Sequence, residues 1–225
     1  MALRVAGGRP RRAQSRHLVG ILGAGRQALE TSGYCREEGL EIAFFLEERA
    51  PEYPRDLAQF DAPILTFNDD LDTWATTPVI ASVGSPALRR RLVERWCKGR
   101  FQTVVSSHAW AAQDVIIGTG VTVAPRVSLN RLVRVGDHVL LNVGAILSHD
   151  VTVEDFATLS PGCAIGGGAV IRAAAFIGIG ATVRDHVVIG SGAVVAAGAV
   201  VVDDVPDAAT VMGVPARRVV LDAIQ

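Results

Sequence analysis

The stretch Val135-Gly-Asp-His-Val-Leu-Leu-Asn-Val-Gly-Ala-Ile-Leu147 carries an aliphatic residue at every sixth position, and this spacing continues on both sides. Fifteen consecutive sixth positions are Val, Ile or Leu: Ile117, Val123, Leu129, Val135, Leu141, Leu147, Val153, Leu159, Ile165, Ile171, Ile177, Val183, Ile189, Val195 and Val201. With 49% hydrophobic residues in the chain, such an unbroken run has a chance on the order of 10⁻⁵. A period of six is neither the 3.6 of a helix nor the 2 of an ordinary strand, so it indicates a coil-by-coil repeat.

A second register supports the first, because the residues two positions earlier are all small or β-branched. They are Val115, Val121, Val127, Val133, Val139, Ala145, Val151, Ala157, Cys163, Ala169, Ala175, Ala181, Val187, Ala193 and Ala199. Alternate residues of a strand face the same side, so each hexapeptide predicts a short strand with one buried face. Three such strands close a triangular turn of about 18 residues, which predicts about five turns of a parallel β-prism. The next position, often Gly, Asn or Ser as in Gly118 and Gly178, is expected to form a corner with positive φ.

Composition excludes several classes of function. The formal net charge is −1 and the basic residues outside the N-terminus are scattered, which argues against nucleic acid as a partner. Cys35, Cys97 and Cys163 are odd in number and widely spaced, which predicts a reducing, cytoplasmic compartment without disulfides; Cys163 occupies an inward slot of the repeat, where core packing is expected. Residues 1–16 are basic and turn-rich without an apolar run, so we expect a disordered basic tail, no secretory signal and no membrane contact.

The N-terminal half alternates strands with helices. Strands are predicted at residues 17–22, 40–46, 62–65, 79–83 and 102–105, with helices ending near Cys35 and spanning about 86–98. This alternation predicts a small parallel sheet with a ligand crevice at the carboxyl ends of its strands. Gly23-Ala-Gly25 lies between a strand and a helix, where free N–H groups favour an anion. A glycine turn needed only for tight packing is the alternative reading.

Together, Gly23-Ala-Gly25, the motif Leu141-Asn-Val-Gly-Ala-Ile-Leu-Ser-His-Asp150 and Val211-Met-Gly-Val-Pro-Ala-Arg217 resemble the sialic acid O-acetyltransferase and nucleotide-aminosugar N-acetyltransferase family. The resemblance covers about residues 17–220. It implies a Rossmann-like acceptor-binding domain at 17–108 and a left-handed β-helix acyltransferase domain with a C-terminal extension at 109–225. It also implies acetyl-CoA as co-substrate and a homotrimer whose active sites lie between subunits.

Acetyl transfer to an amine needs a base, because an ammonium group has no lone pair with which to attack. An imidazole beside a carboxylate suits this role, so His149 is predicted as general base and Asp150 as its supporting carboxylate. Gly167, one turn further along the repeat, is predicted to offer its N–H to the thioester oxyanion. Ser148 points to the opposite face from His149, so we expect direct attack by the acceptor without an acyl-enzyme.

The resemblance also implies binding residues. Acetyl-CoA contacts are expected at Thr158, Ile179 and Ala197, and acceptor contacts at Gly25, Arg26, Gln27, Glu47, Glu48 and Asn142. Three features depart from the family pattern: Arg26-Gln27 replaces Gly-His, Glu47-Glu48 replaces Asp-Asp, and His108-Ala109 replaces His-Pro. We therefore expect the acceptor to be either an unusual nucleotide sugar or a compound without a nucleotide.

Competing functions differ in the residues they need. A γ-class carbonic anhydrase has the same prism but requires a zinc site with closely spaced histidines, whereas no two histidines here lie within ten residues; no metal is predicted. A sugar nucleotidyltransferase requires a larger first domain. An O-acyltransferase would use the same base, and a structural β-helix would have no activity. His138 and His186 fall outside the aliphatic registers and are expected to be solvated.

Overall fold

Three parallel sheets wind around one another in the C-terminal part of the chain, which the computed structural model describes over residues 17–48 and 57–219. Their strands are β5 (Val104–Val105), β6 (Trp110–Ala111), β7 (Ile116–Ile117), β8 (Thr122–Val123), β9 (Ser128–Leu129), β10 (Arg134–Val135), β11 (Leu140–Leu141), β12 (Ile146–Leu147), β13 (Thr152–Val153), β14 (Thr158–Leu159), β15 (Ala164–Ile165), β16 (Val170–Ile171), β17 (Phe176–Ile177), β18 (Thr182–Val183), β19 (Val188–Ile189), β20 (Val194–Val195), β21 (Val200–Val201), β22 (Thr210–Met212) and β23 (Arg217–Val219). Every third strand joins the same sheet, in the orders β19-β16-β13-β10-β7, β23-β22-β20-β17-β14-β11-β8-β5 and β21-β18-β15-β12-β9-β6.

The predicted stacking of the repeat is confirmed. Val135 pairs with Ile117 on one side and with Val153 on the other, so each aliphatic residue lies directly over its equivalent in the adjacent turn. Residues of both predicted registers, from Val115 to Val201, are buried in one core, Cys163 among them. Burial also raises the pKa of the Cys163 thiol to about 12, which suits packing and not nucleophilic chemistry.

The β-helix extends beyond the predicted repeat at both ends. The strand predicted at 102–105 is divided between the two parts: the Gln102 N–H donates to the Val79 carbonyl of β4, whereas β5 pairs with β8 of the β-helix, and β6 pairs with β9. At the other end, Ile189 bridges to Val205, because the last corner is two residues shorter than the others. Strand β22 then pairs in parallel with β20 and antiparallel with β23.

The expectation of positive φ directly after each aliphatic residue is wrong. The left-handed conformation lies two positions later, at Gly120, at Asp150 (φ 61) and at their equivalents in other corners. The glycines that follow the aliphatic residues serve close approach instead. A Cβ at Gly178 would lie 2.5 Å from the backbone nitrogen of Ala197, so no larger side chain fits beneath the next turn.

The N-terminal part is a four-stranded parallel sheet in the order β3-β2-β1-β4. Its elements are β1 (His17–Leu22), α1 (Arg26–Glu37), β2 (Leu40–Glu47), β3 (Ile64–Thr66), β4 (Val79–Ala81) and α2 (Pro86–Arg95), with short 3₁₀ turns at Leu57–Gln59 and Asp72–Trp74. The side chain of Ser85 caps α2 by accepting the Leu88 N–H, and Pro86 suits the first helical position. One apolar cluster runs from Val19 and Ile21 of this sheet into the β-helix core.

The predicted basic tail at 1–16 and the last residues of the C-terminal extension, 220–225, lie outside the described residues. Within the described ranges, no helix has the length and apolar character needed to cross a membrane.

Candidate active site

His149 and Asp150 form a hydrogen-bonded pair at the corner that follows β12. Nδ1 of His149 lies 2.9 Å from Oδ2 of Asp150, and the His149 side chain is 66% exposed. The left-handed conformation of Asp150 (φ 61) turns the chain at this point. When Nδ1 donates its proton to the carboxylate, Nε2 carries the lone pair and can accept a proton from a substrate.

The imidazole of His149 packs against Gly167 of the adjacent turn. A Cβ at Gly167 would lie 2.6 Å from Cε1 and 2.7 Å from Nε2 of the ring. The neighbouring N–H groups of Gly166 and Gly168 donate to Val183 and His149 carbonyls. Within the described part of the chain, the Gly167 N–H donates to no backbone carbonyl.

A cavity of about 460 Å³ lies between the N-terminal sheet and the β-helix. It brings together six of the predicted binding residues: Arg26, Gln27, Asn142, Thr158, Ile179 and Ala197. Its wall on the β-helix side includes a column of corner residues from successive turns: Val143, Pro161, Ile179 and Ala197. Three of the residues implied for the acceptor and all three implied for acetyl-CoA therefore share one cavity.

A hydrogen bond joins the two parts of the chain at the edge of this cavity. Nδ2 of Asn142 donates to Oε1 of Gln27 at 3.1 Å, and Nε2 of Gln27 donates to Glu30 at 3.4 Å. Helix α1 therefore contributes polar side chains to the cavity wall, and the corner column contributes apolar ones.

Three of the implied acceptor residues do not line this cavity: Gly25, Glu47 and Glu48. The Glu48 carboxylate instead accepts from Arg91 at 2.6 Å and lies 3.7 Å from Arg95. Gly25 is the N-cap of α1 with extended φ. These three residues lie at the carboxyl ends of β1 and β2, where the crevice was expected.

Within one chain, His149 and the cavity lie on different edges of the prism. The cavity column follows β11, β14, β17 and β20, which belong to one sheet, whereas His149 follows β12 of the next sheet. The corner that carries His149 is therefore one sheet away from the corner column. The predicted base and the cavity that holds the predicted binding residues are therefore on separate edges of the chain.

Arg89 of α2 was missed in the sequence, where it reads as one of three consecutive arginines on an exposed helix. It is 1% exposed and donates to the Thr158 hydroxyl at 3.0 Å. Burial lowers the pKa of its guanidinium to about 9. No local pattern distinguishes it from Arg90 and Arg91, because its burial arises only where α2 meets the β-helix.

The chain is similar to the solved structures of a sugar N-acetyltransferase, of an acetyltransferase domain and of WeeI. GDP-perosamine N-acetyltransferase from Caulobacter crescentus, a histidine-to-alanine variant in complex with CoA and GDP-perosamine, is 28% identical with a TM-score of 0.81, covering 90% of this chain and 96% of that one. The acetyltransferase domain of PglB from Neisseria gonorrhoeae FA1090, in complex with acetyl coenzyme A, is 25% identical with a TM-score of 0.80, covering 91% and 100%. WeeI from Acinetobacter baumannii AYE is 26% identical with a TM-score of 0.79, covering 90% and 99%.

The chain is a structural relative of the sugar N-acetyltransferases. This confirms the family resemblance inferred from the hexapeptide repeat and its motifs, including the CoA-dependent acyltransferase class. No protein-family model and no curated protein sequence matches the chain.

One histidine of this chain, His138, is buried although it was expected to be solvated. His138 is not solvated: it is 8% exposed, stacks on Phe156 with ring centroids 5.0 Å apart, and meets the Phe101 ring edge-on at 4.5 Å. Burial lowers its pKa below the ordinary value. His186, in contrast, is exposed as predicted. Among the described residues, no three His, Cys, Asp or Glu side chains are grouped to hold a metal ion.

Proposed function

We propose that the protein is an acetyltransferase that moves the acetyl group of acetyl-CoA to an amine of a nucleotide-linked amino sugar. The observation that carries this proposal is the single cavity lined by three of the residues implied for the acceptor and by all three implied for acetyl-CoA. The CoA and GDP-perosamine in the relative's complex support the same pair of ligands.

The mechanism is direct attack in a ternary complex. The acceptor nitrogen forms a bond to the thioester carbonyl carbon while His149 Nε2 takes the proton that the nitrogen loses. The Gly167 N–H stabilises the oxyanion of the tetrahedral intermediate. The C–S bond then breaks, and the CoA thiolate receives the proton from the His149 imidazolium, which yields amide and free thiol.

A homotrimer completes the site in this proposal. Because His149 and the cavity lie on different edges of the prism, the base must come from a second copy of the chain. A threefold ring of prisms places each copy's His149 corner beside its neighbour's corner column. The β-helix is left-handed in this proposal, as in the hexapeptide-repeat acyltransferases that the chain resembles.

The N-terminal sheet has the role of a Rossmann-like acceptor-binding domain. The parallel strand order β3-β2-β1-β4 matches the first four strands of the doubly wound nucleotide-binding order 3-2-1-4-5-6. We propose the division into residues 17–108 for acceptor binding and 109–225 for acetyl transfer, with Gly25, Glu47 and Glu48 near the nucleotide. A cytoplasmic location agrees with acetyl-CoA as co-substrate.

Thiol release from acetyl-CoA tests this function. Wild type, His149→Ala and His149→Asn are assayed with GDP-perosamine, UDP-4-amino sugars, simple amines and hydroxyl acceptors, and products are identified by mass. His17→Ala is the matched control, because His17 is an exposed histidine at the amino end of β1. We expect a loss of at least about 100-fold for both His149 variants, and wild-type rates for the control. Equal rates for wild type and His149→Ala would contradict the base assignment.

Mixed trimers test the shared site. His149→Ala and Ile179→Glu are each expected to be inactive, since one lacks the base and the other has a charge in the cavity. Co-assembly pairs the intact His149 of one variant with the intact cavity of the other. Each mixed trimer then contains one site with both an intact His149 and an intact cavity, so activity is expected at up to about a third of the sites. No activity in verified mixed trimers would refute a site built from two subunits.

A further inference from the structure

The guanidinium of Arg89 is buried without a carboxylate, and all of its hydrogen bonds go to neutral oxygens. Nε donates to the His138 carbonyl at 2.8 Å. Nη2 donates to the carbonyls of Phe156 at 2.5 Å and Ala157 at 2.9 Å. Nη1 donates to the Val83 carbonyl at 2.8 Å and to the Thr158 hydroxyl at 3.0 Å. Such a group fixes the surfaces around it, because each displaced partner would leave a buried donor unsatisfied.

The geometry of the corners explains why an arginine is needed there. Backbone bonds between turns use the carbonyl one position before each left-handed residue, as in His138 N–H to Thr119 and Phe156 N–H to Asp137. The carbonyls of the left-handed corner residues between Gly120 and Gly198 accept no backbone hydrogen bond from a described residue. Helix α2 covers two of them, those of His138 and Phe156, and Arg89 supplies the donors that water would supply elsewhere.

The same arginine holds the loop between β4 and α2. Besides accepting from Arg89, the Thr158 hydroxyl donates to the Gly84 carbonyl at 2.9 Å. Gly84 lines the cavity next to Arg26 and Gln27. The Ser82 hydroxyl, two residues before it, donates to the Gln27 carbonyl at 3.0 Å. The position of this loop therefore sets the position of the α1 side of the cavity.

Thr158 has no hydroxyl hydrogen left for a ligand. Its only O–H goes to Gly84, its oxygen accepts from Arg89, and the residue is 2% exposed. The residue that resemblance implies as an acetyl-CoA contact is therefore engaged on both sides by protein groups.

We propose that Arg89 and Thr158 are positioning residues for the acceptor: their hydrogen bonds to Val83 and Gly84 hold the β4–α2 loop against the β-helix and so set the width of the cavity at Arg26 and Gln27. This inference rests on the proposed function for its substrate. The corner column with Ile179 and Ala197 belongs to the β-helix itself and is not held by this loop. Loss of the hydrogen bonds to Val83 and Gly84 therefore weakens acceptor binding and leaves acetyl-CoA binding unchanged.

The test uses Thr158→Val, which removes the hydroxyl at nearly constant volume, and Thr158→Ser, which keeps it. We expect Thr158→Val to raise the KM for the acceptor about tenfold while kcat and the KM for acetyl-CoA stay within about twofold. Thr158→Ser is expected to restore the acceptor KM to within about threefold of wild type. Arg89→Lys, which keeps the charge but lacks the planar fork, should resemble Thr158→Val.

Amide hydrogen exchange provides a second readout that needs no substrate. The segment 82–86 is expected to exchange faster in Thr158→Val than in Thr158→Ser, while exchange in the β-helix core stays unchanged. If the wild type acetylates no acceptor, the proposed function fails, and faster exchange in this segment still supports the loop-holding role. Equal acceptor KM values for the Val and Ser variants in an active enzyme, or unchanged exchange, would overturn the inference.

Discussion

Replacement of Gly167 by alanine tests whether the adjacent turn positions the His149 ring. Gly167 has no left-handed φ, so alanine causes no backbone strain there, but its Cβ would lie 2.6 Å from Cε1 and 2.7 Å from Nε2. Carbon atoms in contact are separated by about 3.5–4.0 Å, so the ring must withdraw by about 1 Å. Such a movement also breaks the 2.9 Å bond between Nδ1 and Asp150.

A displacement of about 1 Å in a catalytic group costs about 100-fold in rate, which corresponds to about 2.7 kcal/mol. We expect Gly167→Ala to lose that much in kcat/KM for thiol release from acetyl-CoA. The exposed ring can move into solvent, so thermal unfolding should change by less than about 1 kcal/mol.

Gly166→Ala is the matched control, one residue away. Its Cβ would lie 2.8 Å from the Arg184 carbonyl carbon and 2.8 Å from the Asp185 Cα, which belong to a backbone that cannot withdraw. This variant should therefore lose stability, by about 1–3 kcal/mol or more. Full activity of Gly167→Ala would refute the packing of the base against this glycine, and equal destabilisation of the two variants would refute the distinction between them.

Two further predictions concern stability. Because burial lowers the pKa of His138, the unfolded chain binds the proton more readily than the folded chain. The folding stability present above about pH 6.5 therefore falls as the pH drops towards the folded-state pKa. In denaturant unfolding between pH 7 and 5, His138→Phe should flatten this pH dependence, whereas His186→Phe, at an exposed position, should keep it. A wild-type slope in His138→Phe would contradict this cause. In strand β7, Ile117→Ala should cost about 2–5 kcal/mol of unfolding free energy, because Ile117 is fully buried. Ile116→Ala, 48% exposed, should cost less than about 1 kcal/mol, and similar losses for both would argue against the inward register.

The hexapeptide spacing was sufficient to predict the core of the β-helix. Ile117 and its equivalents face inward because a fixed period keeps each aliphatic residue over the previous one. The start of the helix was less predictable. At β6, Trp110 is an exposed aromatic residue and Ala111 replaces the aliphatic residue, so the run of Val, Ile and Leu is interrupted between Val105 and Ile117.

Corner conformation and the neighbourhood of Arg89 were beyond sequence reasoning for another reason. Glycine serves two different needs in the corners, left-handed φ at Gly120 and close approach at Gly178, and the letter alone does not say which. The burial of Arg89 and His138 depends on where α2 and Phe101 meet the β-helix. Such contacts join residues far apart in the chain.

The sequence by itself determined the parallel β-helix, its two inward registers, the family resemblance and the residues proposed for chemistry. These features are local or periodic, so the order of side chains along the chain is enough to predict them. The same spacing puts His149 on a different edge of the prism from Ile179 and Ala197, because Leu147 and Ile177 belong to different columns of the repeat. Only the tertiary structure decided that Gln27 meets Asn142 across one cavity and that Arg89 holds Thr158 beside it. The angle at which the N-terminal sheet docks on the β-helix fixes both relations, since each joins residues far apart in the chain.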